Sequence, residues 1–305
     1  MKILITGKNG FVAKSLIAYL KEKGEDIITT SRYEDGTPDN FALGDLSTET
    51  QWEKALKGID VVIHVAARVH IMKETHPNPL KAFMDANYES TRTFATKAFE
   101  AGVGKFIFLS SIFVNGCGTC GAPFEENSNI RPENDYAQSK VEAEKYLLET
   151  FKDTSMKVVI LRPPMIYGYG AKGNWKSLVK LCKLPIPLPF GSIKHNKRNF
   201  IYMGNLLNFI EHILKDSLHS GIYAICDNES LSTYEFIKYI RLALGRRPWL
   251  FYVPFFKEFL KIFGLKAISD KLHGDLLIDN RKAKRDFKWN PPYTVFDGIR
   301  KSLQK

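Results

Sequence analysis

The feature that most constrains this chain is its opening. Residues 2–6 form a short run rich in β-branched side chains that passes straight into Gly7-Lys8-Asn9-Gly10, and residues 11–23 then carry apolar side chains at helical spacing. A strand, a tight turn and a helix follow one another. The alternation continues with strands over 26–30, 61–66, 105–111 and 157–162 and helices over 51–56, 80–101 and 135–152. Strands separated by helices pair in parallel through right-handed crossovers, so the spacing predicts an α/β, Rossmann-type doubly wound parallel sheet. Val61-Val62-Ile63 and Phe106-Ile107-Phe108-Leu109 are unbroken apolar runs, as expected of central strands covered on both faces. After Pro163-Pro164, glycine and proline punctuate 168–191 and the later elements shorten. This predicts one domain over 1–165 and a smaller one over 166–305, with a segment of about 199–215 returning to the first.

Glycines between a first strand and a first helix let the backbone approach a dinucleotide pyrophosphate resting on the helix N-terminus. Gly7, Asn9, Gly10, Phe11 and Val12 are the candidate contacts. Ala13 stands where a third glycine would be, and a plain βα turn is the alternative. The second strand ends Thr30-Ser31-Arg32, with no acid until Glu34. Ser31 offers a donor and Arg32 a bidentate partner for a 2′-phosphate, which favours NADP(H) over NAD(H). An Arg that only caps a loop is the bland alternative.

Tyr136 and Lys140 lie four residues apart in the helix expected over 135–152, so both side chains share one face. A tyrosine alone is a poor acid or base at neutral pH, and a nearby ammonium should lower its pKa. The expected strand ending at Ser111 would bring a hydroxyl to the edge of the sheet where α/β folds bind ligands. His64 sits in an apolar strand and reads as a core residue. His70 follows that strand into a loop and is a candidate sugar contact. Cys117-Gly118-Thr119-Cys120 has redox or half-zinc spacing, but no second pair accompanies it, so no metal is expected.

Taken in order, Thr6-Gly7, Gly10-Phe11, Gly44-Asp45-Leu46, His64-Val65-Ala66-Ala67, Asn87, Leu109-Ser110-Ser111, Val114-Asn115-Gly116, Tyr136 to Lys140, Leu161-Arg162-Pro163-Pro164, Tyr167-Gly168 and Arg198 to Tyr202 resemble the extended short-chain dehydrogenase/reductase family of nucleotide-sugar epimerases, dehydratases and reductases. The resemblance implies that Ser111 hydrogen-bonds the reacting sugar oxygen, Tyr136 exchanges its proton and Lys140 holds the nicotinamide ribose. It implies that Asp45 and Leu46 touch the adenine, that Ala66, Ala67 and Pro163 line the cofactor, and that Asn87 lies behind the active site. Asn174 and Arg198 would meet the substrate diphosphate in a nucleotide-sugar-binding C-terminal domain. One departure is Leu272, where hexose epimerases carry an Arg; the second basic contact to the diphosphate is then either absent or supplied by Lys271 or His273.

Ala66 to Met72, Phe113 to Gly116 and Leu188 to Gly191 are most similar to bacterial epimerase-like 4-reductases of UDP-linked 4-keto-6-deoxy-N-acetylhexosamines, which feed surface-polysaccharide synthesis. A 4-epimerase with tightly bound NAD is the alternative, and a nonenzymatic dinucleotide sensor the rival from another class.

The formal net charge of +11 suits a substrate bearing phosphates. Lys and Arg are scattered rather than blocked, so nucleic acid is not an expected partner. Four cysteines, no signal-peptide pattern and no apolar run of spanning length point to the cytoplasm. Residues 248–265 are rich in aromatics but interrupted by Pro254, Lys257, Glu258 and Lys261; a packed helix is expected there, with weak membrane-surface association as the alternative. The resemblance also implies a homodimer built from the helices over 80–101 and 135–152, with Phe83, Phe94 and Phe99 at the seam.

Overall fold

The strands form where β-branched and aromatic residues run without interruption, and helices fill the spaces between them. The computed structural model describes residues 1–45, 47, 49–69 and 77–304. Its first part runs β1 (Lys2–Ile5), α1 (Phe11–Glu22), β2 (Asp26–Ser31), β3 (Asn40–Ala42), α2 (Glu53–Leu56), β4 (Val61–His64), α3 (Pro79–Phe83), a π-helical turn (Met84–Glu89), α4 (Ser90–Glu100), β5 (Lys105–Leu109), α5 (Asp135–Phe151) and β6 (Lys157–Arg162). The second part holds β7 (Ile166–Tyr167), α6 (Asn174–Cys182), β8 (Arg198–Asn199), β9 (Ile201–Tyr202), α7 (Met203–Lys215), β10 (Gly221–Ala224), β11 (Ser230–Leu231), α8 (Thr233–Ala243), α9 (Phe256–Ile262), α10 (Lys266–His273), α11 (Arg281–Phe287) and α12 (Val295–Leu303).

The main sheet has seven strands in the order β10-β6-β5-β4-β1-β2-β3. Strands β1 to β6 pair in parallel, with Ile5 beside Ile63 and Leu109 beside Leu161. This is the doubly wound Rossmann arrangement. One face buries Leu4, Val62, Phe106, Phe108 and Ile160 against Trp52, Phe94, Leu147 and Phe151. Trp52 stacks on Phe94 with ring centroids 3.9 Å apart. The alternate residues Ile3, Ile5, Ile63, Ile107 and Val159 are equally buried, which is why these strands carry no polar face.

The chain divides into two units: Met1–Gly116 with Asn129–Arg162 and Ile213–Tyr223, and Cys117–Ser128 with Pro163–His212 and Ala224–Lys305. The segment returning to the first unit is Ile213–Tyr223, where the sequence expectation lay at about 199–215. Lys105 donates to the Ile213 carbonyl at 2.6 Å within that unit.

In the second unit β8 pairs antiparallel with β11 and β7 parallel with β9. Its core stacks Phe200 on Phe236 at 4.0 Å and is organised by the buried Asp227. That carboxylate accepts from the Tyr167 hydroxyl at 2.9 Å and from Asn205 Nδ2 at 2.7 Å, while burial pushes it up to about 6.

Two sequence expectations change here. The helix expected over 51–56 is a single turn, and the short strand β3, Asn40-Phe41-Ala42, extends the sheet edge. Phe94, expected at a dimer seam, is fully buried in the core and edge-on to Phe106 at 5.5 Å. Phe83 is likewise buried; of the three phenylalanines only Phe99 is exposed.

Candidate active site

The glycine turn is shaped by steric need. Gly7 has φ of +71°, and a Cβ placed there would lie 2.9 Å from Ala66 Cβ. Both the left-handed backbone and the close approach require glycine. Gly10 donates to the Gly7 carbonyl at 2.7 Å and is the N-cap of α1, with no side-chain cap on that first turn. Its N–H groups and dipole are thus left for an anion, beside Asn9, Phe11 and Val12.

Thr6 fixes the neighbouring loop. Its hydroxyl accepts from the Val65 and Ala66 amides at 3.1 and 3.0 Å and pairs with His64 Nδ1 at 2.9 Å. His64 Nε2 reaches Thr91 Oγ1 at 3.0 Å. His64 is a satisfied core residue, and burial drives its pKa down to about 3, with the charge of Lys140 adding to the effect.

At the end of β2, Arg32 Nε meets Asp45 Oδ1 at 2.9 Å. Both side chains are largely exposed, so the pair contributes no more than about 1 kcal/mol and a phosphate can compete for the guanidinium. The Ser31 hydroxyl donates to the Tyr33 carbonyl at 2.6 Å and accepts from Asn40 at 2.8 Å, so its donor is committed to the loop. Lys8 crosses the glycine turn to pair with Asp35 and donates to Thr37 at 2.6 Å; the Lys8 bond is the largest cause holding the Asp35 carboxyl down at about 2. Leu46 and His70 lie outside the described residues.

Ser111, Tyr136 and Lys140 belong to one unit. Ser111 caps the 3-10 turn Ile112–Val114 that follows β5, its oxygen accepting from the Phe113 amide at 3.3 Å. Helix α5 packs against that turn and starts at Asn134, whose side chain accepts from the Ala137 amide at 2.9 Å. One turn further on, Lys140 is fully buried and donates to the Leu109 carbonyl at 3.0 Å. Its ammonium lies 4.3 Å from the Phe108 ring centre and 5.9 Å from that of Tyr136.

The expectation that this ammonium lowers the Tyr136 pKa needs correction. Tyr136 keeps some accessible surface, yet the protein packed around it pushes the phenol up to about 12. Burial also brings Lys140 down to about 7, against the pull of Glu144. Desolvation dominates at both groups because burial disfavours the charged form, phenolate or ammonium alike.

Asn87 stands behind this helix inside the π-helical turn. Its amide accepts from the Arg68 N–H at 2.7 Å and donates to the Arg68 carbonyl at 2.9 Å and to Ser139 Oγ at 3.0 Å. Ser139 in turn donates to the Tyr136 carbonyl at 2.8 Å.

The sequence reading missed Glu144. This residue is 3% exposed and is clasped by Arg162, with Nε at 3.1 Å, while Arg162 Nη1 donates to Asn115 at 3.2 Å. The pair ties the loop beyond Ser111 to the helix bearing Tyr136 and Lys140. Spacing was the available signal, since Tyr136, Lys140 and Glu144 recur every four residues.

In the second unit, Asn174 is exposed at the start of α6, and Pro163 is buried directly after β6. Arg198 donates to the Gly274 carbonyl at 2.8 Å, and burial lowers its pKa against the pull of Asp275. The His273 ring is tied to the Ser269 carbonyl at 3.0 Å, whereas Lys271 is exposed. Cys117 and Cys120 are not joined in a disulfide.

A Rossmann sheet carrying Ser, Tyr and Lys beyond its fifth strand, with a second unit after the sixth, defines an extended short-chain dehydrogenase/reductase. The sequence matches the NAD dependent epimerase/dehydratase family over residues 3–226. A Vibrio cholerae protein named UDP-glucose 4-epimerase is 39% identical over 309 residues, covering 99% of this chain and 94% of that one. An Escherichia coli dTDP-4-dehydro-6-deoxyglucose reductase is 26% identical, covering 99% and 96%. Among solved structures, a UDP-N-acetylglucosamine 4-epimerase from Bacillus cereus superposes with a TM-score of 0.79 at 19% identity, covering 98% and 97%. The chain belongs to the NAD dependent epimerase/dehydratase family.

Proposed function

We infer that this protein is a nucleotide-sugar oxidoreductase that reduces the C4 ketone of a UDP-linked 4-keto-6-deoxy-N-acetylhexosamine with NADPH. The observation that carries the reading is Tyr136 itself, a half-buried phenol held protonated, with the Lys140 ammonium 5.9 Å from its ring centre, on the helix that packs against the turn Ser111 caps. A phenol whose pKa stands at about 12 is neutral at physiological pH and still more acidic than an ordinary secondary alcohol, so it can give a proton to a nascent alkoxide.

The dinucleotide, when bound, supplies the hydride. Gly7, Asn9, Gly10, Phe11 and Val12 would hold its pyrophosphate, and Ala66, Ala67, Asn87 and Pro163 would border it. Tyr136 Oη donates its proton to the C4 oxygen, Ser111 Oγ hydrogen-bonds that same oxygen, and Lys140 positions the ribose through its ammonium. Asn174 and Arg198 would receive the diphosphate. Arg32, on the surface pair with Asp45, is offered to a 2′-phosphate, and the NADPH preference rests on it.

A second reading, a 4-epimerase retaining NAD, is favoured by the name of the 39% identical Vibrio cholerae relative. The two differ in what the protein carries. Mass spectrometry of the freshly purified protein should find no stoichiometric dinucleotide if the enzyme is a reductase, whereas one tightly held NAD per chain supports the epimerase. A homodimer formed through α4 and α5 completes the proposal, with cytoplasmic action in polysaccharide synthesis.

A further inference from the structure

Nine of the twenty large apolar side chains that are exposed among the described residues fall between Trp249 and Ile268. That density is not what a solvated surface helix shows. Helix α9 is apolar on both faces: Phe256 and Leu260 are buried, with Phe256 against Phe190 and His273, while Phe259, Ile262 and Phe263 point outward. Phe259 and Phe263 pack on each other at 4.6 Å, making a continuous outer ridge.

The residue that opens the helix, Phe255, has φ of +52° and is 79% exposed. A bulky aromatic in the left-handed region is strained, and the ring it carries gains no burial in return. Ile262 is 82% exposed, although an isoleucine on a helix with a buried face would ordinarily lie inward.

Lysines interleave with this ridge. Lys257, Lys261, Lys266 and Lys271 are all exposed and none is in an ion pair among the described residues, with only Glu258 and Asp270 as acids along the two helices α9 and α10. A second copy of this chain would bring the same four lysines, and the same net charge of +11, against this face. The facing lysines disfavour pairing of this face with its own copy. Exposed aromatic and branched side chains interleaved along the sequence with exposed lysines fit a surface that is apolar beneath an anionic layer.

We propose that the outer face of α9 and the start of α10 dock on an anionic lipid bilayer, with Phe255, Phe259, Ile262 and Phe263 entering the headgroup boundary and Lys257, Lys261, Lys266 and Lys271 pairing with lipid phosphates. The proposal is independent of the reaction assigned above. It concerns where the enzyme works.

Vesicle flotation with the full-length protein tests it, using phosphatidylcholine vesicles with and without phosphatidylglycerol. The protein should float with the phosphatidylglycerol vesicles, and less so at high salt, because exposed charges are screened there. A Phe259→Ser/Ile262→Ser/Phe263→Ser variant should lose about tenfold or more in partition through the lost apolar insertion. A separate Lys257→Gln/Lys261→Gln variant should lose about tenfold on the anionic vesicles alone. Circular dichroism should show both variants folded, because the replaced groups are exposed. Unchanged flotation of either variant, or equal flotation with pure phosphatidylcholine, overturns the proposal. So does an oligomer of the parent protein, seen by sedimentation, that the triple variant breaks into smaller species, since that would make a second copy the occupant.

Discussion

At the scale of single residues, the account rests on where protons sit. Tyr136→Phe removes one oxygen from a ring that packs edge-on against Phe83 at 6.4 Å, so folding should be retained. Turnover should fall by about 10² to 10⁴, the contribution of a positioned acid. Steady-state rates within threefold of the parent would remove Tyr136 from the chemistry. Arg32→Ala should weaken NADPH binding by about 1.5–3 kcal/mol and leave NADH nearly unchanged, because only the phosphorylated cofactor gains a charge-assisted hydrogen bond there. Equal losses in fluorescence titrations with the two cofactors would show that Arg32 reads no phosphate. His64 supplies a stability signature. Its pKa is about 3 in the folded protein against 6.5 for a solvated histidine, so below 6.5 the unfolded chain binds the extra proton. The stabilisation present above 6.5 is lost as pH falls toward 3, and His64→Gln should flatten that limb in urea unfolding.

At the scale of elements, the buried Arg162–Glu144 pair joins β6 to α5. Arg162→Met strands a carboxylate that is 3% exposed and should cost about 3–5 kcal/mol in denaturant unfolding. A loss below about 1 kcal/mol would mean that the pair does not hold these elements together. How legible each element was follows from how local its cause is. Strand β6 was readable because an apolar run bounded by Lys157 and Arg162 decides it alone, and α5 because its periodicity sustains Tyr136 and Lys140 on one face. Strand β3 has three residues, none of them buried, and exists through pairing with β2, so no local pattern announces it. The π-helical turn around Asn87 is invisible for the same reason, since one extra residue in a turn leaves the apolar spacing nearly intact. Phe94 was misplaced because periodicity says that a helix has an apolar face without saying what covers it. Trp52 and Phe106 claim that face. Glu144 and the Arg32–Asp45 pair required partners that only the folded sheet brings near, and the protonation of Tyr136 required knowing how completely its surroundings exclude water.

At the scale of the whole molecule, sedimentation velocity at micromolar concentration should report a dimer, with exposed Phe99 rather than Phe94 near its seam; a monomer would contradict that assembly. The central claim, net reduction at C4, is tested most directly by mixing the enzyme with NADPH and a UDP-linked 4-keto-6-deoxy-N-acetylhexosamine and counting both reactants. The account predicts about one NADPH oxidised per sugar converted to its 4-hydroxyl product, at a rate that collapses in Tyr136→Phe. Interconversion of UDP-N-acetylglucosamine and UDP-N-acetylgalactosamine without added cofactor, together with no reduction of the ketone, would contradict it.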